Sequence, residues 1–343
     1  MTQHDTPESH REPWWKGRLA WHGLDYTIPA VASRLPYFWG GITLTGIAIQ
    51  FLTGFYLAQL YNPDPVSAHS SIVYIIERAW LGDFARSLHV WSANFVLAAV
   101  TLHLLWVLWR GSYQKPRELT YWAGVTMLLV LFGLYFTGTA LKGDQESVEA
   151  LAHAVAASEK AGPPGKLLTP DFTRSVPLMT RLYSLHVSVL PIALVAILGL
   201  HLWLIRFLGI HTHPDESTGG YTFPKHLRKL LGLSGLYVAF VSLLALVAPA
   251  SLLSKGVPGF EVTKPPFVFL WIYTIENFMG VAGLLTVPPL VFLLLYLIPF
   301  FDRKGSPSPR DRKAVLIVGF GLVALLLLMA IYAKVTPAQQ HLM

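Results

Sequence analysis

Seven stretches of this chain, 37–60, 87–109, 120–141, 178–207, 233–253, 280–301 and 314–335, are each roughly twenty or more mainly apolar residues long. A run of about 20 such residues spans the hydrocarbon core of a bilayer as a helix. Lipid offers no hydrogen bonds, so the backbone must pair within each segment, which leaves helices or a closed barrel. The alternating pattern of barrel strands is absent. Only 13% of residues are charged and 53% are hydrophobic, against about a quarter charged in soluble domains. The fold class expected is an all-α integral membrane protein with about seven transmembrane helices. Met1–His10 holds no apolar run, unlike a secretory signal. Trp14, Trp15, Lys16, Arg18, Leu19 and Trp21 suit either a short helix on the headgroups or a disordered polar tail.

Charge orients the spans. Sixteen Lys or Arg flank the side carrying the N-terminus and ten flank the other, while acidic residues divide nine and ten. The positive-inside rule then makes the N-terminus cytoplasmic and the C-terminus external, as in a bacterial inner membrane. The formal net charge of +7 is thus a topology signal, and no nucleic-acid partner is expected. With no cysteine in the chain, disulfides, iron–sulfur ligation, thiolate catalysis and covalently attached c-type haem are excluded.

Four histidines lie inside spans: His89 and His103 on the second, His186 and His201 on the fourth. Intramembrane histidines are functional candidates by default. Spacings of 14 and 15 residues separate each pair by about 21–22 Å along its axis and return the second side chain to within about 40° or 60° of the first. The two spans run in the same direction. His89 and His186 therefore share an outer level, and His103 and His201 an inner one. Neutral imidazole ligates iron well, and two facing imidazoles at one depth hold a noncovalent b-type haem. A lone bundle histidine serves equally as packing or as a proton relay; two matched levels favour two haems over either, and over a single zinc or copper site. Gly40 and Gly54 on the first span and Gly124 and Gly138 on the third repeat the 14-residue interval. Glycine permits close approach, so both pairs suit two flat porphyrins, or ordinary helix packing. Arg86, three residues before His89, suits a haem propionate or a snorkelling interface residue. Arg110 and Arg206 follow the inner histidines by seven and five residues.

These residues resemble the cytochrome b family of quinol–cytochrome c oxidoreductases, most closely the cytochrome b6 type fused to its companion subunit IV. The likeness runs from about Tyr37 to Pro337 through YFWGGITLTGIAIQFLTGFYL, RSLHVWSANFVLAAVTLHLLWVLWRGSY, TRLYSLHVSVLP, HLWLIRFLGI, FPKH and GLLTVPP. It implies a polar tail over 1–36, a dihaem four-helix bundle over 37–210 and a subunit IV-like three-helix region over 211–343. It also implies His89 and His186 as ligands of the outer haem iron, His103 and His201 of the inner, and Arg86 on a propionate. Asp25 and Arg206 match positions near the inner quinone, where a carboxylate and an arginine can relay protons and hold an anion; headgroup contacts are the alternative. Partners implied are a Rieske iron–sulfur protein, a c-type cytochrome or another outer redox subunit, quinones and lipids, in a dimeric complex.

The chain departs from the family in three places. Phe38 stands where the b6 type has the cysteine holding a covalent extra haem. Pro265-Pro266-Phe267-Val268 replaces the Pro-Glu-Trp-Tyr of the outer quinol site, removing its carboxylate; Glu276 and Tyr273 are the candidate replacements, with helix-end capping the alternative for Glu276. The third span exits through LKGDQ (141–145) in place of a Pro-Trp pair. His211 and His213 are expected to be loop residues. The leading expectation is a dihaem cytochrome b subunit of a quinol-oxidising complex. The alternative is a dihaem anchor that wires the quinone pool to a different outer subunit without a bifurcating site; a proton-conducting transporter fits the paired levels less well.

Overall fold

The computed structural model describes residue 18 and residues 21–213, 216, 220–302, 305–306 and 308–342. The interfacial reading of Trp14, Trp15, Lys16 and Leu19, and of the side chain of Trp21, lies outside what is described. Among the described residues, seven helices are long and apolar enough to cross a membrane. They are α1 (Trp39–Ala58), α3 (Gly82–Arg110), α4 (Glu118–Ala140), α6 (Leu178–Leu208), α7 (Phe223–Val247), α9 (Val281–Phe301) and α10 (Lys313–Val335).

Three further helices, α2 (Ala68–Glu77), α5 (Gln145–Lys160) and α8 (Leu270–Met279), fill connections on the face opposite the N-terminus. They are too short to span, and the sequence reading passed over them. The fifth span differs most: read as 233–253, it is a helix from Phe223 to Val247. Its first turns carry Lys225, Arg228 and Lys229, which lower the hydropathy of a window without opposing helix formation, and Pro224 suits a first turn. It ends before Ala248-Pro249, because the residue preceding proline is driven out of the helical region.

The packing is pairwise. Helix α1 lies along α3, α4 along α6, and α7 crosses both α1 and α3. Helices α8, α9 and α10 form a second group that meets the first through α9 against α4 and α10 against α3. A two-residue antiparallel pairing of Thr27–Ile28 (β1) with Tyr221–Thr222 (β2) ties the N-terminal segment to the entry of α7.

The end of α3 shows how polar groups are settled at a membrane boundary. Gly111 closes the helix at φ +71°, a left-handed conformation that glycine adopts freely. The last-turn carbonyls of Leu108 and Trp109 accept 2.8 Å hydrogen bonds from the guanidinium of Arg312, which is 2% exposed. A cation there also complements the negative end of the helix dipole. Replacing Arg312 with Met should cost about 2–4 kcal/mol, the range for losing hydrogen bonds to a buried charged group. A detergent thermal melt showing no destabilisation would contradict that role.

Candidate functional site

The four intramembrane histidines meet as two levels: each ring lies against a glycine, and three of the four are also held by a hydrogen bond at Nδ1. On α1, a Cβ built at Gly54 would stand 3.3 Å from His89 Cε1, and one at Gly40 would stand 3.2 Å from His103 Cε1. On α4, the corresponding distances are 3.0 Å from Gly138 to His186 and 3.7 Å from Gly124 to His201. The equal spacing of glycines and histidines therefore has a direct cause. Each glycine is the notch that admits the edge of one imidazole from the adjacent helix, α3 against α1 and α6 against α4.

Hydrogen bonds then choose the nitrogen. The hydroxyl of Thr53 donates to Ile49 O at 2.6 Å, so its oxygen accepts from His89 Nδ1 at 2.9 Å. Thr137 repeats the arrangement, donating to Gly133 O at 2.8 Å and accepting from His186 Nδ1 at 3.0 Å. His201 Nδ1 donates to Thr120 O at 2.9 Å. In all three the proton sits on Nδ1 and the lone pair on Nε2 faces the bundle interior, as a metal-binding imidazole requires. His103 Nδ1 is buried without a partner.

The outer pair leaves room for a metal ion between its rings, since a metal–imidazole bond is about 2 Å long. The His89 and His186 ring centroids are 6.3 Å apart. His103 and His201 lie within electrostatic reach of each other at the second level.

The 15-residue interval on α6 has its own explanation. Within that helix the N–H of Leu190 reaches back five residues to Leu185 O, a π-turn over Leu185–Val189. Such a turn absorbs one extra residue. Fourteen α-helical steps remain between His186 and His201, the same count as between His89 and His103.

Near the inner pair, the buried groups Trp106 Nε1, Arg110 Nε and Thr120 Oγ1 have no hydrogen-bond partner, and Tyr37 Oη lies against the Arg110 guanidinium. The Tyr37 and Trp106 rings meet edge to face with centroids 5.5 Å apart, and the Arg110 guanidinium lies 5.9 Å from the Tyr37 ring centre. Unpaired buried donors are costly, and convergent ones suit an anion such as a haem carboxylate arm. Arg110 also makes a two-pronged pair with Glu216, at 2.9 and 2.5 Å. Arg86 is buried, and its terminal nitrogens donate to Ala250 O at 2.6 Å and Ser251 O at 2.7 Å. It braces α3 against the segment after α7, and would reach a propionate only by sharing those carbonyls.

Asp25 and Arg206 come to one corner of the face that carries the N-terminal segment, where the Arg206 guanidinium lies 4.2 Å from the ring centre of Tyr26, the neighbour of Asp25. The backbone of Tyr26 accepts from Phe223 N at 2.9 Å. His211 and His213 sit in the connection after α6 with rings 5.3 Å apart. Burial, helped by Arg117, pushes His211 down to about 4. Phe38, 2% exposed, stacks on His226 at 4.4 Å and helps fill the space beside α1.

At the opposite end, Pro265, Pro266 and Phe267 line a cavity of about 380 Å³ together with Lys142, Asp144, Glu146, Lys264 and Lys334. Glu276 and Tyr273 are not among its lining residues. Glu276 is paired with His153 Nδ1 at 2.8 Å, and the Tyr273 hydroxyl accepts from Gln339 N at 2.6 Å. The cavity's carboxylates come from the LKGDQ exit and the first turn of α5. Asp144 caps α5 by accepting from Ser147 N at 3.0 Å and also pairs with Lys142. Glu146 pairs with Lys142 as well. Burial raises the Glu146 carboxyl above its usual range, with Lys142 pulling the other way. Glu146 was missed from sequence because its significance depends on residues 120 positions away.

A family model described as cytochrome b (N-terminal)/b6/petB matches residues 94–255. Cytochrome b6 of Heliobacterium mobile is 34% identical over 57% of this chain and 93% of its own length. The menaquinol:cytochrome c reductase cytochrome b subunit of Bacillus subtilis is 35% identical over 58% of this chain and 91% of its own. A cytochrome bc complex cytochrome b subunit from Chlorobaculum thiosulfatiphilum is 29% identical over 88% of this chain and 74% of its own. Among solved structures, a hyperthermophilic respiratory Complex III chain superposes with a TM-score of 0.74 at 22% identity, over 96% of this chain and 90% of that one.

Filling one notch should disable one level. Gly138→Val should push the His186 ring from its place and remove the outer pair's optical contribution while sparing the inner pair. Equal loss at both levels would overturn the assignment of this notch.

Proposed function

Because the chain belongs to the cytochrome b family of quinol–cytochrome c oxidoreductases, as an integral membrane cytochrome b subunit associated with b-type haem and quinol, we propose that it holds two such haems and passes electrons across the bilayer. His89 and His186 would ligate the outer haem and His103 and His201 the inner. The observation that carries this reading is the matched set of four imidazoles, each in a glycine notch, with three fixed to present Nε2. When bound, the haems supply one-electron redox centres at two depths of a low-dielectric layer, where charge movement couples to membrane potential at about 2.3 kcal/mol per charge per 100 mV. Tyr37, Trp106 and Arg110 would hold the carboxylate arms of the inner haem. Residues 37–210 would be the dihaem bundle and 211–343 the subunit IV-like region. The N-terminus would be cytoplasmic in a bacterial inner membrane. Asp25 and Arg206 would serve the inner quinone, as proton relay and anion contact.

For the outer site we place quinol in the cavity beside Pro265–Phe267, with Glu146 as proton acceptor in place of Glu276 or Tyr273. Quinol oxidation releases protons, and a carboxylate whose pKa is raised toward neutrality is a better base for them. The two family departures compensate in this reading: the carboxylate missing from the Pro-Pro-Phe-Val segment enters from the α4 exit. That favours a quinol-oxidising complex with a Rieske protein and a c-type cytochrome, in a dimer, over an anchor lacking an outer site. Co-purification of a different outer redox subunit with no Rieske protein would support the anchor.

Two measurements test this. In reduced-minus-oxidised spectra, His103→Ala should lose one of two b-type haems and keep the other; unchanged haem content would refute the ligand set. Ionised Glu146 is the active form, so quinol oxidation should fall as pH drops through its raised pKa. Glu146→Gln should slow the reaction roughly 10²-fold or more and abolish that acidic limb, and an unaltered pH profile would eliminate Glu146 as the acceptor.

A further inference from the structure

One buried cluster lies outside all of this chemistry. His153 of α5, Glu276 of α8, Glu261 of the segment before α8, and His341 of the C-terminal segment converge on one point. We propose that His153, Glu276 and His341, with Glu261 as fourth donor, bind a zinc-class divalent cation that fastens the C-terminal segment to α5 and α8.

The donor atoms already stand near ligand spacing. One ligand atom from each of His153, Glu276 and His341 lies within 4.8 Å of the other two. Glu261 Oε2 is 3.6 Å from His341 Nδ1 and 4.0 Å from His153 Nε2. In a tetrahedral zinc site, bonds of about 2.0–2.2 Å put neighbouring donors about 3.3–3.5 Å apart. For His153, Glu276 and His341, closing around an ion takes shifts of about 1 Å, and Glu261 stands next to that trio as the candidate fourth donor. Two imidazoles and two carboxylates are a donor set that suits zinc.

Two independent observations point to a ligand. His341 has a side chain 6% exposed, and its Nδ1 is buried with no hydrogen-bond partner. Its other nitrogen, Nε2, donates to Asn277 Oδ1 at 2.7 Å. The proton is therefore held on Nε2 and the lone pair of Nδ1 faces the carboxylates, the outer-shell arrangement typical of a metal-ligating histidine. Charge supplies the second observation. Glu276 is 4% exposed and the Glu261 side chain 9%. Among the described residues, neither pairs with a lysine or arginine. Their nearest cationic partners are the imidazoles of His153 and His341 themselves, so two buried carboxylates face two ligand-type side chains, and a dication between them supplies the compensating charge with both imidazoles neutral.

The cluster is also braced to hold its shape. Glu261 accepts from His341 N at 2.6 Å and Leu342 N at 2.9 Å, which brings the C-terminal segment back over the end of α8. Tyr273 Oη accepts from Gln339 N on the same segment. An ion here would join three stretches far apart in sequence, and α5 is the helix whose first turn carries Glu146.

The test uses the purified full chain with its haems, stripped by a chelator and titrated with Zn²⁺ against a chromophoric competitor. One Zn²⁺ per chain should bind. His341→Ala and His153→Ala should each weaken binding at least 10-fold, with haem spectra unchanged as the check on folding; losing an outer-shell partner alone weakens metal sites about 10–100-fold. X-ray absorption at the zinc edge should show a nitrogen and oxygen shell with scattering from two imidazoles. Absence of stoichiometric binding, or equal affinity in both variants with intact haem spectra, would overturn the proposal. Because haem content and zinc binding are read separately, failure here is distinguishable from failure of the dihaem reading.

Discussion

The contact between a glycine and the edge of an imidazole organises the membrane-embedded half of this protein. Four such contacts fix how closely α3 approaches α1 and how closely α6 approaches α4. A Cβ at Gly40, Gly54 or Gly138 would crowd the ring beside it, while at Gly124 it would stand in ordinary contact. Threonine hydroxyls at two rings and a backbone carbonyl at a third then remove rotational choice, leaving one nitrogen of each facing inward. Helix packing and ligand presentation thus share the same atoms, in an environment where apolar contact provides little drive for helices to associate.

Much of this was legible in the sequence because it is periodic. Hydropathy runs locate spans, and a 14-residue interval on three helices, with 15 on a fourth, announces two levels. The partner of each glycine was not legible: the interval suggested room for a flat group, and the structure adds an imidazole edge beside each glycine. The 15-residue interval between His186 and His201 looked like a 60° offset because regular geometry was assumed, and a π-turn leaves no hydropathy signature. Helices α2, α5 and α8 were invisible for a related reason. They pack on the ends of the spanning helices, α2 on α3, α5 on α4 and α9, and α8 on α9 and α10, and each is too short to register as a span in a hydropathy run.

The outer face illustrates a limit of reading motifs one at a time. Pro265–Val268 and the LKGDQ exit look like two separate losses when set beside the family pattern. In three dimensions they border one cavity, and the second supplies carboxylates that the first lacks. Glu276, ten residues beyond Pro266, was the nearest acidic replacement along the chain. The fold instead turns it toward His153. Leu270, at the start of α8, lines the cavity, while Tyr273 and Glu276 further along the helix do not.

The π-turn at Leu185–Val189 has a consequence for how such a chain can vary. Electron transfer between two redox centres depends steeply on their separation, so that length is not free to drift. Chain length is freer, since residues are gained and lost one at a time. A helix that stores a surplus residue in a single widened turn lets its length change while the gap between its two histidines stays constant. It behaves as a slack loop in a taut cable, accommodating an insertion without retuning the circuit.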